Sequence, residues 1–76
     1  MQFYTAEVNF YDADLNDIET DYLAIGANGF SGAMEQITEY YGDDITEVTL
    51  KVVNYEHGFA IVSKETYETI NKEANI

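Results

Sequence analysis

No basic side chain precedes Lys51. In that stretch the chain places Glu7, Asp12, Asp14, Asp17, Glu19, Asp21, Glu35, Glu39, Asp43, Asp44 and Glu47, with nothing of opposite sign between them. The remainder sets Glu56, Glu65, Glu68 and Glu73 against Lys51, Lys64 and Lys72. The net charge of −12 is therefore polarised along the chain. So few bases exclude direct nucleic-acid binding, which needs lysines and arginines to neutralise phosphates. An intense field of one sign instead speeds encounter with a partner of the other sign, so a basic protein surface is the expected partner.

Cysteine is absent too. Without it there is no disulfide framework and no thiolate metal site, which fits a reducing, cytoplasmic setting. Nowhere do eighteen apolar residues run together, and the opening Met1-Gln2-Phe3-Tyr4-Thr5-Ala6-Glu7 has no basic region followed by an apolar run. Neither a membrane span nor a cleaved secretory signal is expected. No repeat, linker or low-complexity tract divides the 76 residues, and that length suits one domain, 1–76.

What the chain has is regular hydrophobic patterning. Apolar residues make up 46% of it, too large a share for a disordered acidic tail. Residues 3 to 11 alternate, with Tyr4, Ala6, Val8 and Phe10 on one face and Thr5, Glu7 and Asn9 on the other, as in a half-buried strand. Asp12 to Asp17 is dense in residues that bond their own backbone, so it predicts a hairpin turn into a second strand, Ile18 to Ile25. That strand carries Ile18, Tyr22 and Ala24 on one face and Leu23 and Ile25 on the other, which suggests cover from two sides. Gly26-Ala27-Asn28-Gly29 should break it. Phe30, Ala33, Met34, Ile37 and Tyr41 then recur at helical spacing, predicting a helix over about 29–41 capped by Asn28, packed through Phe30, Met34, Ile37 and Tyr41 and closed by Gly42. Val48, Leu50 and Val52 mark a third strand and Phe59 to Val62 a fourth. Ser63 caps a final amphipathic helix, Lys64 to Ala74, with Tyr67, Ile70 and Ala74 on one face. The expected class is α+β: a four-stranded, mainly antiparallel sheet in ββαββα order, with the central helix across one face and a short C-terminal helix.

The acidic residues carry the clearest functional signal. Carboxylates two apart on a strand, as Glu19 and Asp21 would be, lie about 6.7 Å apart on one face. Glu35 and Glu39, four apart on the helix, lie roughly 6 Å apart. Successive phosphates of a nucleic-acid strand are separated by roughly 6–7 Å as they wind about an axis advancing about 3.4 Å per nucleotide. Asp12, Asp14, Asp17, Glu19, Asp21, Glu35, Glu39, Asp43 and Asp44 are the expected partner contacts. A solvated acidic face would show the same spacing. Tyr4, Tyr11, Tyr22, Tyr40, Tyr41, Tyr55 and Tyr67 exceed what a small core needs, and tyrosine favours interfaces. Tyr40 and Tyr41 cannot both face inward, so Tyr40 joins the expected contacts.

Other constellations are weaker. Asp12-Ala13-Asp14-Leu15-Asn16 matches the start of a D-x-D-x-N calcium loop, but Asp17 replaces the glycine and Leu23 stands where the bidentate glutamate belongs. Weak calcium binding and an Asx-rich hairpin turn both remain open for it. Gly29-Phe30-Ser31-Gly32-Ala33 partly resembles a nucleophile elbow, but Ala33 replaces its last glycine and His57 is the lone histidine. Gly26, Gly29 and Gly32 lack a nearby base to help cradle phosphate. The chain is read as non-enzymatic, without cofactor or resident metal.

In size, acidity and element order, and in phrases such as Ala33-Met34-Glu35-Gln36-Ile37, Tyr40-Tyr41-Gly42-Asp43-Asp44 and Ile45-Thr46-Glu47-Val48-Thr49-Leu50, the chain resembles small proteins that bacteriophages and mobile elements encode against host defences. Anti-CRISPR proteins and DNA mimics are among them. The resemblance is one of type and carries no diagnostic motif. It implies a stoichiometric inhibitor, acting in the host cytoplasm, that blocks the basic surface of a host nuclease or defence complex. The rival expectation is a structural or adaptor module that homodimerises or pairs through a sheet edge.

Overall fold

The computed structural model describes residues 1–74. The alternating N-terminal run forms β1 (Gln2–Asp12), and the run after the acidic turn forms β2 (Asp17–Ala27). They pair antiparallel over their whole length, from Gln2 opposite Ala27 to Asp12 opposite Asp17. Asp12 Oδ1 accepts the backbone N–H groups of Asp14 at 2.9 Å and Leu15 at 3.4 Å, and Asp17 Oδ1 accepts that of Ile18 at 2.7 Å. Asn16 takes φ 54°, the left-handed conformation that asparagine tolerates. The D-x-D-x-N segment is thus an Asx turn in which the first carboxylate serves the backbone.

The helix α1 (Phe30–Tyr41) follows, then a 3₁₀ turn (Gly42–Asp44), β3 (Ile45–Val53), β4 (Ala60–Val62) and α2 (Lys64–Ala74). The strands lie in the order β3-β1-β2-β4, every neighbouring pair antiparallel. This is the expected α+β class and element order.

Boundaries differ for physical reasons. β2 runs through Gly26 to Ala27 instead of breaking there. Gly26 is required for close approach, because a Cβ at this position would sit 2.5 Å from the His57 carbonyl oxygen. The cap of α1 is Gly29 and not Asn28: its φ of 125° and ψ of 178° set the helix entry without any side-chain bond, and its carbonyl accepts the Ala33 N–H at 3.1 Å. Gly42, at φ 69°, ends the helix as expected. Phe59 packs on the core from the loop, so β4 starts one residue late, at Ala60. In β3, Asn9 faces Glu47 while Phe10 faces Ile45, leaving Thr46 as a bulge whose Oγ1 donates to the Asn9 carbonyl at 3.1 Å. The extra residue turns Ile45 back toward the core, where it packs against the same cluster as Phe10.

Strand alternation creates two apolar faces. Tyr4, Ala6 and Val8 of β1 pack with Leu23, Ile25 and Ala27 of β2 under Ala33 and Ile37 of α1. On the reverse side Ala24, Val53, Phe3 and Val62 pack with Ile70 of α2, and the Tyr22 and Tyr67 rings lie 4.8 Å apart. Buried Thr5 donates through Oγ1 to Asn71 of α2. The two helices therefore sandwich the sheet, giving β2 the cover from two sides that its apolar residues suggested. α2 starts at its Ser63 cap, where Oγ accepts the Thr66 N–H at 3.1 Å. The Ala74 side chain, expected on the inner face of this helix, lies outside the described residues. The expected α1 contact set needs one correction: Ile37 is fully buried and Met34 and Tyr41 pack partly, but Phe30 is 61% exposed. Phe30 begins the helix, where its ring meets the edge of the Tyr4 ring at 6.5 Å and otherwise lines an open hollow.

Candidate partner-binding surface

Alternation decides which carboxylates share a side. Val8 and Leu23 face α1, so Asp12 of β1 and Asp17, Glu19 and Asp21 of β2 project to that side as well. Glu35 and Glu39 stand on α1, Asp43 and Asp44 on the 3₁₀ turn after it, and Asp14 on the hairpin turn beneath it. All of the expected acidic contacts thus belong to the α1 layer. The bases separate the other way. Lys51 pairs with Thr5, whose side chain bonds α2, and Lys64 and Lys72 are α2 residues. The polarity along the chain has become a polarity across the sheet.

At the hairpin end, a recess of about 430 Å³ opens between β1, its turn and the end of α1. Phe10, Tyr40 and Tyr41 supply its aromatic walls, Tyr11 borders it from β1, and its carboxylates are Asp12, Asp14, Asp21 and Asp44. Tyr40, 59% exposed, is shared with a second hollow of about 220 Å³ that also involves Gln36, Glu39 and Phe59. Gln36 and Glu39 are shared in turn with a third, of about 460 Å³, which includes Glu35 and Ser31. The acidic surface therefore continues along α1 from the hairpin end to the start of the helix. Asp17, Glu19 and Asp43 share this side without lining the recess.

An aromatic row crosses the surface. Phe10 and Tyr41 have centroids 5.0 Å apart, Tyr41 and Tyr40 4.8 Å, and Tyr40 and Phe59 5.4 Å. Tyr41 Oη donates to Asp21 Oδ2 at 2.7 Å. Burial, then the bond and charge of Asp21, and last the charge of Tyr40 push the Tyr41 phenol well above its ordinary value. Asp21 is thereby held in place, and Asp12 and Asp17 are tied to the backbone, whereas Glu35 and Glu39 are exposed on the helix.

Carboxylates beside exposed aromatic faces suit guanidinium and ammonium groups, which carboxylates bind by charge-assisted hydrogen bonds and rings attract through their faces. No protein-family model, curated protein or solved structure matches the chain. Ser31 sits within the first turn of α1 and not on a strand-to-helix elbow. His57 is exposed in the loop before β4, stacked on Tyr55 at 5.6 Å. Among the described residues no three histidine, aspartate or glutamate side chains are grouped to hold a metal ion. No described helix is long and apolar enough to cross a membrane.

The sequence pattern gives no sign that Phe10 and Phe59 reach this surface, since both fall in apolar strand runs. Tyr41 falls on the apolar stripe of α1, which predicts an inward ring, yet its hydroxyl reaches Asp21 in the recess. Also unforeseen is an apolar hollow of about 440 Å³ at the other end of the α1 layer, walled in part by Met1, Tyr4, Phe30 and Val52. Val52 is 64% exposed because β3 is an edge strand and α1 lies over β1 and β2.

Proposed function

We propose that the protein is a non-enzymatic inhibitor of the DNA-mimic type, whose α1 layer occupies the basic groove of a nucleic-acid-binding protein such as a nuclease or defence complex. The observation that carries this reading is the segregation of charge: the expected acidic contacts share one layer, and every lysine belongs to the other. A basic groove meeting that layer encounters carboxylates without an interrupting lysine. Glu35 and Glu39, one helical turn apart, lie at roughly the 6 Å separation of successive phosphates. The molecule is 38 Å long, close to the ~34 Å of one duplex turn. Tyr40 and its aromatic neighbours offer ring faces to the arginines that hold nucleic acid.

The test is competition. Proteins captured from host lysate at low salt and released at high salt supply the partner, and its binding to labelled duplex DNA is followed by anisotropy as this protein is added. Inhibition is expected to be competitive and to weaken steeply with salt. Glu35→Lys with Glu39→Lys, and Asp14→Lys with Glu19→Lys, are expected to slow association. Tyr40→Ala is expected to speed dissociation. Unchanged inhibition by both folded charge-reversed proteins would refute the reading.

A further inference from the structure

β3 lies at one margin of the sheet, and its outer rim pairs with no other strand among the described residues. From Glu47 to Val53 it is regular, the bulge being confined to Thr46. An uncovered rim of this kind is a template for another strand. Its side chains specify which one. Glu47, Thr49 and Lys51 project to the α2 side, all exposed, while Val48 and Leu50 project to the α1 side, only partly buried.

We propose that this rim pairs antiparallel with the same rim of a second copy, centred on Thr49, to make one sheet continuous across both subunits. Two identical edge strands paired in this way are related by a twofold axis perpendicular to the sheet. Opposed residues must then share a face, so any residue can lie opposite only positions separated from it by an even number. Among such registers, centring on Thr49 alone places Glu47 opposite Lys51 of the other copy and Lys51 opposite its Glu47. Centring on Glu47 or on Lys51 would set like charges against each other, and centring on Val48 or Leu50 would leave both charges opposite uncharged residues.

The same centre satisfies the apolar face independently. It sets Val48 opposite Leu50 of the other copy, and the reciprocal contact follows by symmetry, so these half-buried side chains gain apolar neighbours. Lys51, which as a lone charge would blunt the rim, is in this arrangement half of a reciprocal pair. The acidic contacts of the α1 layer are not used, and both copies present that layer on the same side of the extended sheet.

Sedimentation equilibrium on the intact chain, from about 10 µM to 1 mM in about 300 mM sodium chloride to screen repulsion between two such acidic molecules, is expected to show reversible dimers. Lys51→Glu and Glu47→Lys should each weaken dimerisation roughly tenfold or more, since each turns two attractive cross-strand pairs into repulsive ones. Combining the two substitutions in one chain should restore it. Circular dichroism on each variant confirms that the exposed substitutions leave the fold intact. The chain lacks cysteine, so Thr49→Cys supplies a unique thiol on the twofold axis and should give a covalent dimer under mild oxidation, whereas Thr69→Cys on α2 should not. A monomer throughout the concentration range would overturn the proposal. So would dimers that persist unchanged in both single charge variants, or a double variant no better than either.

Discussion

Tyr41 shows how one side chain serves both core and surface. Its ring packs on Phe10 while its hydroxyl holds Asp21 in the recess. Because its folded pKa is raised above the unfolded value of about 10, the stability it contributes is fully present below pH 10 and is lost as pH rises through the folded value. Denaturant titrations at pH 8, 10 and 11 should show stability falling at the upper end, with a shallower fall in Tyr41→Phe. Some slope should persist in that variant, since burial also raises the Tyr67 phenol against the opposing bond from Asn71. Glycines give a second contrast at this scale. Gly26→Ala should cost about 1–3 kcal/mol, because the new methyl meets the His57 carbonyl and backbone must move. Gly32→Ala, whose methyl would meet the Ala27 Cβ at an ordinary 3.5 Å, should stabilise by up to about 1 kcal/mol through helix propensity. Thermal melts of the pair decide it, and equal losses at both positions would contradict the close approach at Gly26. The sequence shows that these are glycines, but only the chain passing Gly26 from the loop before β4 reveals which one has no room for a methyl.

Among the elements, β1 is the most readable, because one period of alternation runs almost its full length and both neighbouring strands cover it. α1 is readable in position but less so in its contacts. Ile37→Ala should lose about 2–5 kcal/mol, as expected for a fully buried side chain, while Phe30→Ala should lose less than about 1 kcal/mol. Urea unfolding of both variants tests this, and a loss under half a kilocalorie at Ile37 would contradict its place under the helix. The sequence set the two residues on one stripe; their difference comes from Ile37 packing in the core cluster while Phe30, in the first turn, faces an open hollow. β3 shows another limit. Its alternation marks Val48, Leu50 and Val52 as inward, yet burial falls off toward Val52 because α1 lies across the other strands. The bulge at Thr46 leaves no strong local signal, since threonine fits a regular strand as readily as an irregular one.

For the molecule as a whole, charge and layering meet. Carboxylates crowd the α1 layer and every lysine belongs to the other, so native-state repulsion should be relieved by screening. The melting temperature should rise between about 10 mM and 500 mM sodium chloride, and a flat or falling trend would show that the acidic layer imposes no net strain. The sequence by itself determined the element order, the apolar period of each element and the scarcity of bases before Lys51, because these are local properties of neighbouring residues. It also required cover on both faces of β2, since Leu23 and Ile25 point opposite to Tyr22 and Ala24. Only the tertiary structure decided that β1 lies at the centre beside β3, that α2 takes the face opposite α1, and that Tyr40, Asp44 and the hairpin carboxylates surround one recess. Alternation states which residues share a face of a strand, but not which edge the next strand joins or which helix covers that face. Those choices are made by contacts between residues far apart in the chain, and they turned a charge gradient along the sequence into a charge difference between the two sides of the sheet.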